Sequence, residues 1–231
     1  MLQSIWEKIS LSLLEKGRYL YILNGLGNTL IMTIGAVVLG ILIGLLVAAV
    51  KVAPGKSFGW RILKFIADAY LTVIRGTPAV VQLMIIYFVI LGSVTIDKVI
   101  VSIIAFGINS GAYVAEIIRA GILAVDRGQM EAGRSLGLDY NSAMQHIVLP
   151  QAFKNILPAL GNELITLLKE TSVAGFIGTM DLAKAGDIIK SQTYEAMVPL
   201  LLVAAIYLVI VMFMTWALRT FERRLRKSDH R

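Results

Sequence analysis

The chain has 231 residues, 57% of them hydrophobic and only 16% charged, with a net charge of +7. Soluble domains run near 25% charged, and a mean hydropathy of +0.77 leaves no polar coat, so a soluble enzyme is excluded and a polytopic membrane protein is expected. With no cysteine and two histidines, His146 and His230, disulfides, thiolate metal sites, cysteine nucleophiles and haem or copper cores are excluded as well. The length suits one compact membrane domain.

Residues 1–18 carry Glu7, Lys8, Glu15, Lys16 and Arg18. These interrupt any signal-peptide core, so the segment is expected to be an external or interfacial helix, polar on one face. A spanning helix needs about 20 apolar residues. Tyr19 to Val50 is free of charge and supplies the first crossing. Within it, Gly40 and Gly44 form a G-x-x-x-G pair, read as helix packing.

The next segment holds Arg61, Lys64 and Asp68, then the charge-free run Gly76 to Ile96. One straight helix from Phe58 to Leu91 would be about 50 Å long, too long for an upright crossing. Gly76-Thr77-Pro78 is too short to turn the chain between two crossings. The expectation is one crossing in two pieces, broken at Pro78. Val99 to Ala115 and Ala196 to Leu218 are further charge-free runs. Asn155 to Leu168 is weaker, broken by Glu163 and followed by Lys169 and Glu170. Its Ile156, Leu157, Leu160, Leu164, Leu167 and Leu168 nevertheless recur at helical spacing.

Five crossings put the termini on opposite sides. With the C-terminus inside, the inner segments hold 14 Lys and Arg and the outer segments 7. The positive-inside bias therefore predicts an external N-terminus and a cytoplasmic C-terminus. The expected organisation is an N-terminal segment 1–18, a transmembrane domain 19–222 and a basic cytoplasmic tail 223–231.

The cytoplasmic loop 126–150 is the most informative stretch. A charged helical turn, a glycine stop at Gly137, a second start near Asp139 and then Pro150 predict two short helices at an angle. Ala132 and Gly133 are small enough for a partner to approach. From the residues alone the loop is either a structured linker or a docking element. Gly55-Lys56-Ser57 imitates the end of a phosphate-binding loop, but the motif's first glycine would fall at Val50, inside a crossing, so it is discarded.

Glu131-Ala132-Gly133, then Gly137, then Ile147, Leu149 and Pro150 at a spacing of nine resembles the EAA loop of ABC-importer permeases. The consensus is E-A-A, three residues, G, nine residues, I-x-L-P, and only Gly133 departs from it, small for small. Other stretches are similar to the polar amino-acid branch of that family, with its basic amino acid and glutamine members. They are Asn28-Thr29, Arg75-Gly76-Thr77-Pro78 with Gln82, Glu116 to Gly121, Asn155 to Glu163, Lys169 to Ser172, and Glu222-Arg223-Arg224. The resemblance runs from about residue 20 to residue 226.

It implies an all-α membrane protein with five transmembrane helices and a coupling-helix loop, the MetI-like permease fold. It implies a bacterial plasma-membrane location and a dimer with a second, like or unlike, permease subunit. Two partner ATPase subunits would bind ATP and Mg, an external binding protein would deliver the amino acid, and nucleic acid plays no part. This chain would hold no cofactor and no metal and would not itself be an enzyme. Glu131, Ala132, Gly133, Gly137, Ile147, Leu149 and Pro150 would couple it to the ATPase, turning nucleotide-driven closure into alternating access.

Charges inside a crossing cost a few kcal/mol and need a reason. Glu116 and Arg119 neutralise each other at i, i+3. Glu163 has no such neighbour, since Lys169 is six residues on. It is paired from another helix, or it meets a cationic substrate. Asn109, Ser110 and Tyr113 can line the same cavity. Thr77 and Pro78 open a half-helix whose free N–H groups suit a carboxylate, with Gln82 one turn further. The leading expectation is thus a permease for an arginine-like basic amino acid. Glutamine or another polar amino acid is the alternative within the class. An ion-coupled secondary transporter or a non-transport membrane scaffold is the alternative outside it, though the halves show no internal repeat.

Overall fold

The structure is a computed structural model and describes Glu7, residues 9–55 and residues 57–227. Among these, every regular element is helical. The segment before the first crossing is less regular than the single helix expected. A wide turn over Ser10–Leu14 is followed by a tight one over Glu15–Gly17, where Lys16 and Gly17 both take positive φ. The remainder of that expectation, residues 1–6 and Lys8, lies outside the described residues, as do Lys56 and residues 228–231.

Helix α1 (Tyr19–Val52) is apolar until Lys51 and stops because Pro54 drives Ala53 into an extended conformation, ψ 141°. Helix α2 (Phe58–Gly76) starts at Ser57, whose hydroxyl accepts from the Trp60 N–H at 3.3 Å. Helix α3 (Ala79–Ile90) follows the break at Gly76–Pro78 and is bent from α2 by 109°. The break falls where proline predicts, and the bend is sharper than a kinked single crossing. Along α4 (Lys98–Leu123) the pair nonetheless advances steadily. Arg75 meets Glu116, Gln82 meets Asn109, and Lys98 lies over the Tyr87 ring.

Helix α5 (Arg127–Ser135) and helix α6 (Tyr140–Ala143) form the loop. Pro150 does not end α6. The chain widens by one residue over Met144–Val148 and runs on into α7 (Leu149–Glu170). The physical reason is that proline clashes with the carbonyl four residues back. A wider turn relieves the clash, and the Leu149 N–H reaches the Met144 carbonyl instead. A tight turn over Thr171–Ile177, α8 (Leu182–Thr193) and the long α9 (Met197–Lys227) complete the described chain, so α9 continues into the segment expected to be a tail.

Three helices, α1, α4 and α9, are long and apolar enough to cross a membrane, or four spans if the bent α2–α3 pair counts as one. Helix α7 is not among them, because Lys154, Glu163, Lys169 and Glu170 interrupt it. The five crossings expected from the sequence are thus matched in three or four places by length and composition.

The core is built on α1 against α4. In a lipid surround this contact gains little from the hydrophobic effect and depends on close packing. Glycines supply it from both sides. A Cβ on Gly44 would stand 2.7 Å from Val114 Cβ and 3.0 Å from the Ala115 nitrogen, and one on Gly40 would stand 3.0 Å from Ser110 Cβ. In return, Cβ atoms on Gly107 and Gly111 would stand 2.9 Å from Leu39 Cβ and Ile43 Cβ. Gly107 and Gly111 make a second G-x-x-x-G pair, facing the first. Met32, Ala36, Leu83, Phe106 and Leu167 fill one end of the core, and Ala48, Val114, Val148 and Ile156 the other.

Candidate functional site

The loop 126–150 is closed by its own residues. The Asp126 carboxylate accepts from the Gly128 N–H at 2.6 Å and starts α5. At the other end Gly137 takes φ 92°. The Gly137 N–H reaches the Arg134 carbonyl at 3.0 Å, and the Leu138 N–H reaches the Gly133 carbonyl at 3.2 Å. This is the paired C-terminal closure that a left-handed glycine permits. Asp139 then starts α6, accepting from the Ser142 N–H at 2.9 Å. Hydrogen bonds from Ser142 hold the Asp139 carboxyl below its usual range.

Gly133 is buried against the end of α6 and the wide turn after it, where an added Cβ would stand 2.5 Å from Ile147 Cδ1 and 3.4 Å from Ala143 Cβ. Its neighbours Glu131 and Ala132, and Leu149 and Pro150 further on, are exposed. Gly133 therefore locks α5 to the segment from Ala143 to Ile147, and Glu131 is offered outward.

The second group lies where α3, α4 and α7 meet. The Ser110 hydroxyl donates to Glu163 Oε1 at 2.8 Å. The partner from another helix that Glu163 required is thus a neutral hydroxyl. Among the described residues no cation stands within ion-pair distance of Glu163. Asn109 is one residue away but faces elsewhere, donating from Nδ2 to Gln82 Oε1 at 2.9 Å. Gln82 Nε2 donates in turn to the Ile74 carbonyl at 2.8 Å and to Thr77 Oγ1 at 2.8 Å. Pro78 has no N–H to give the Ile74 carbonyl, so Gln82 replaces the helix bond that proline removes.

Tyr113 is partly exposed, with the Arg75 guanidinium 5.8 Å from its ring centroid. Arg75 also stands 3.7 Å from Glu116, which Arg119 grips at 2.8 Å as the i, i+3 spacing predicts. Lys51 pairs with Asp68 between α1 and α2. The structure thus brings Ser110 to Glu163, and Asn109 to Gln82 and Thr77, as two adjacent constellations. Sequence reading missed Arg75 as the link from α2 to Glu116, and Tyr70, whose hydroxyl donates to the Ile108 carbonyl at 2.6 Å. It also missed the Gly107–Gly111 pair, whose spacing is visible in the sequence. On α8, Lys190 and Lys184 hold the Asp187 carboxyl below its usual range.

The family of binding-protein-dependent transport system inner membrane components matches residues 36–227. The chain belongs to that family. It is 41% identical over 211 residues to the arginine transport system permease protein ArtQ of Bacillus subtilis (strain 168), covering 90% of this chain and 94% of the relative. It is 37% identical over 198 residues to the glutamine transport system permease protein GlnP of Escherichia coli (strain K12), covering 84% and 90%. An amino acid ABC transporter crystallised with histidines superposes at a TM-score of 0.82 and 46% identity, over 88% of this chain and 94% of that one. A chain of the MetNI methionine ABC transporter in an inward-facing conformation superposes at 0.76 with 21% identity, over 91% and 99%, and shows the shared fold. The resemblance read from the EAA-like loop is borne out: this is an ABC-transporter permease for amino acids, with the MetI-like fold.

Proposed function

We propose that this permease carries a basic amino acid, arginine-like, through a pathway in which Glu163 meets the substrate's side-chain cation. The observation that supports this is the half-buried Glu163 carboxylate, answered within the chain only by the Ser110 hydroxyl. A carboxylate in a low-dielectric setting needs a proton or a cation, and a guanidinium matches it bidentately and stays charged. The Bacillus relative is named for arginine, and the transporter at 46% identity is described with histidines. Asn109, Ser110 and Tyr113 line the same pathway. Thr77 and the start of α3 receive the substrate carboxylate, with Gln82 holding that start in place. Glutamine is the second reading, favoured by the GlnP relatives at 37–41% identity.

The test is Glu163→Gln in the reconstituted complex, assayed for uptake and for substrate-stimulated ATP hydrolysis. Loss of one partner of a buried charge pair should weaken arginine recognition by about 2–5 kcal/mol. Unchanged arginine handling, or a wild type that answers glutamine and no basic amino acid, would make Glu163 structural.

In this reading two permease subunits, like or unlike, join two ATPase subunits that bind ATP and Mg, and an external binding protein supplies the substrate. Helix α7 completes the five crossings, with the N-terminus outside and the C-terminus cytoplasmic in the bacterial plasma membrane. Helix α5 docks on the ATPase through Glu131 and Ala132. Cysteines introduced singly at the exposed positions 15 and 223 test the topology. An impermeant reagent on intact cells should label the first and spare the second, and the reverse pattern would overturn the charge-count argument.

A further inference from the structure

The ends of α1 and α4 enclose two adjoining spaces, one with the start of α5 and both with Tyr140 of α6. One, of about 570 Å³, has Lys51, Arg119 and Arg127 in its wall together with Met130 of α5. The other, of about 300 Å³, shares Val52, Ile122, Tyr140 and Met144 with the first and extends along α1 past Ala49 to Leu45. The first is basic at its wall and the second apolar almost throughout.

The cations have donors to spare. Lys51 gives an N–H to Asp68, and Arg119 gives Nε and Nη2 to Glu116. An ammonium carries three donors and a guanidinium five, so each retains N–H groups for a further acceptor. Arg127 is exposed. Asp126, the one carboxylate among the described residues lining the space, accepts from the Gly128 N–H and keeps its charge, so the wall holds three cations to one anion. Depth agrees with charge. The apolar run of α1 ends at Lys51, and α4 ends at Leu123, which puts the cations at the level where hydrocarbon gives way to headgroups.

We infer that the two spaces together seat one anionic glycerophospholipid, its phosphate against Lys51, Arg119 and Arg127 and one acyl chain in the slot beside Leu45 and Ala49. A free phosphate would use the basic space and leave the apolar one unfilled. A zwitterionic lipid would fill the slot but gain little from three cations. An anionic amphiphile uses both. Because Met130 belongs to α5 and Tyr140 to α6, the bound lipid braces both loop helices against the end of α1. The inference rests on the reading that this end of the helices lies at the cytoplasmic face of the membrane.

The test uses the full permease complex in detergent, exposed to photoactivatable phosphatidylglycerol or phosphatidylcholine and mapped by mass spectrometry. Phosphatidylglycerol adducts should concentrate in residues 45–54 and 140–149, about fivefold above phosphatidylcholine. Arg127→Glu should lower the phosphatidylglycerol adducts about fivefold and leave phosphatidylcholine unchanged. Ala49→Phe, at an exposed position that faces the slot, should lower both lipids in those segments. The two variants address opposite ends of the lipid, so either one tests the seat if the other fails to fold, and the wild-type map tests it with neither. Adducts spread evenly along the lipid-exposed face of α9 would overturn the proposal. So would full displacement by inorganic phosphate, which would assign the basic space to a free anion. Labelling needs neither ATP nor substrate. A complex that imports no amino acid yet labels at this seat would sink the transport reading and leave the lipid seat standing.

Discussion

Between Asp126 and Pro150 each turn is closed by residues next to it in sequence. Asp126 closes on Gly128, Gly137 on Arg134, Asp139 on Ser142. Between α1 and α4 the closures join distant residues, Gly40 to Ser110 and Gly44 to Val114, and Ser110 in turn reaches α7 at Glu163. The loop is exposed and carries its instructions locally. The interface is buried and has no local instruction beyond the spacing of its glycines. Caps let the loop keep its shape while its outer face stays free. A pathway through a membrane must hold polar groups away from lipid, and that requires partners from other helices.

The largest effect is expected where the loop offers a charge outward. Glu131→Lys should abolish ATP-coupled uptake and leave the chain inserted and folded, because Glu131 is exposed and contributes nothing to closing α5. Uptake assays in proteoliposomes decide it, and normal transport by the variant would reduce the loop to a linker.

The interface is next. Gly44→Leu must push α1 off α4, since the nearest atoms include the Ala115 backbone nitrogen, which cannot rotate away. Overpacking of this kind costs about 1–3 kcal/mol. A lowered unfolding midpoint in detergent should report it, and a midpoint equal to wild type would mean that the helices are not pressed together at that level.

A smaller loss is expected at Gly137. The surroundings are open, so an added Cβ meets nothing, and only the φ of 92° opposes it. Gly137→Ala should therefore cost about 1 kcal/mol, read as a modest drop in the same midpoint and a partial loss of coupling. A cost as large as that of Gly44→Leu would erase the distinction between local and non-local closure.

The loop was legible almost entirely. Its caps, its glycine stop and its spaced motif are short-range chemistry, and short-range chemistry is written in the sequence. Pro150 was the exception there. It reads as a break, yet the chain absorbs it by widening one turn, because α6 and α7 are packed in line against the α4 end through Val148, Ala152 and Ile156. The polar residues around Glu163 and Gln82 were legible as a list and illegible as a network. Asn109 and Ser110 are adjacent in sequence and serve different partners, because neighbours on a helix point about 100° apart.

The sequence by itself determined that the chain lives in a membrane, where its longest apolar helices lie, where the α2–α3 pair breaks, and to which family it belongs. Those follow from composition, from uninterrupted apolar length, from proline and from one spaced motif. Only the tertiary structure decided that Glu163 is answered by a hydroxyl, that Gln82 repairs the bond Pro78 removes, and that a second glycine pair faces the first. Each of these depends on how helices distant in sequence are rotated and brought together, and inside a membrane close packing and hydrogen bonds between helices fix that arrangement.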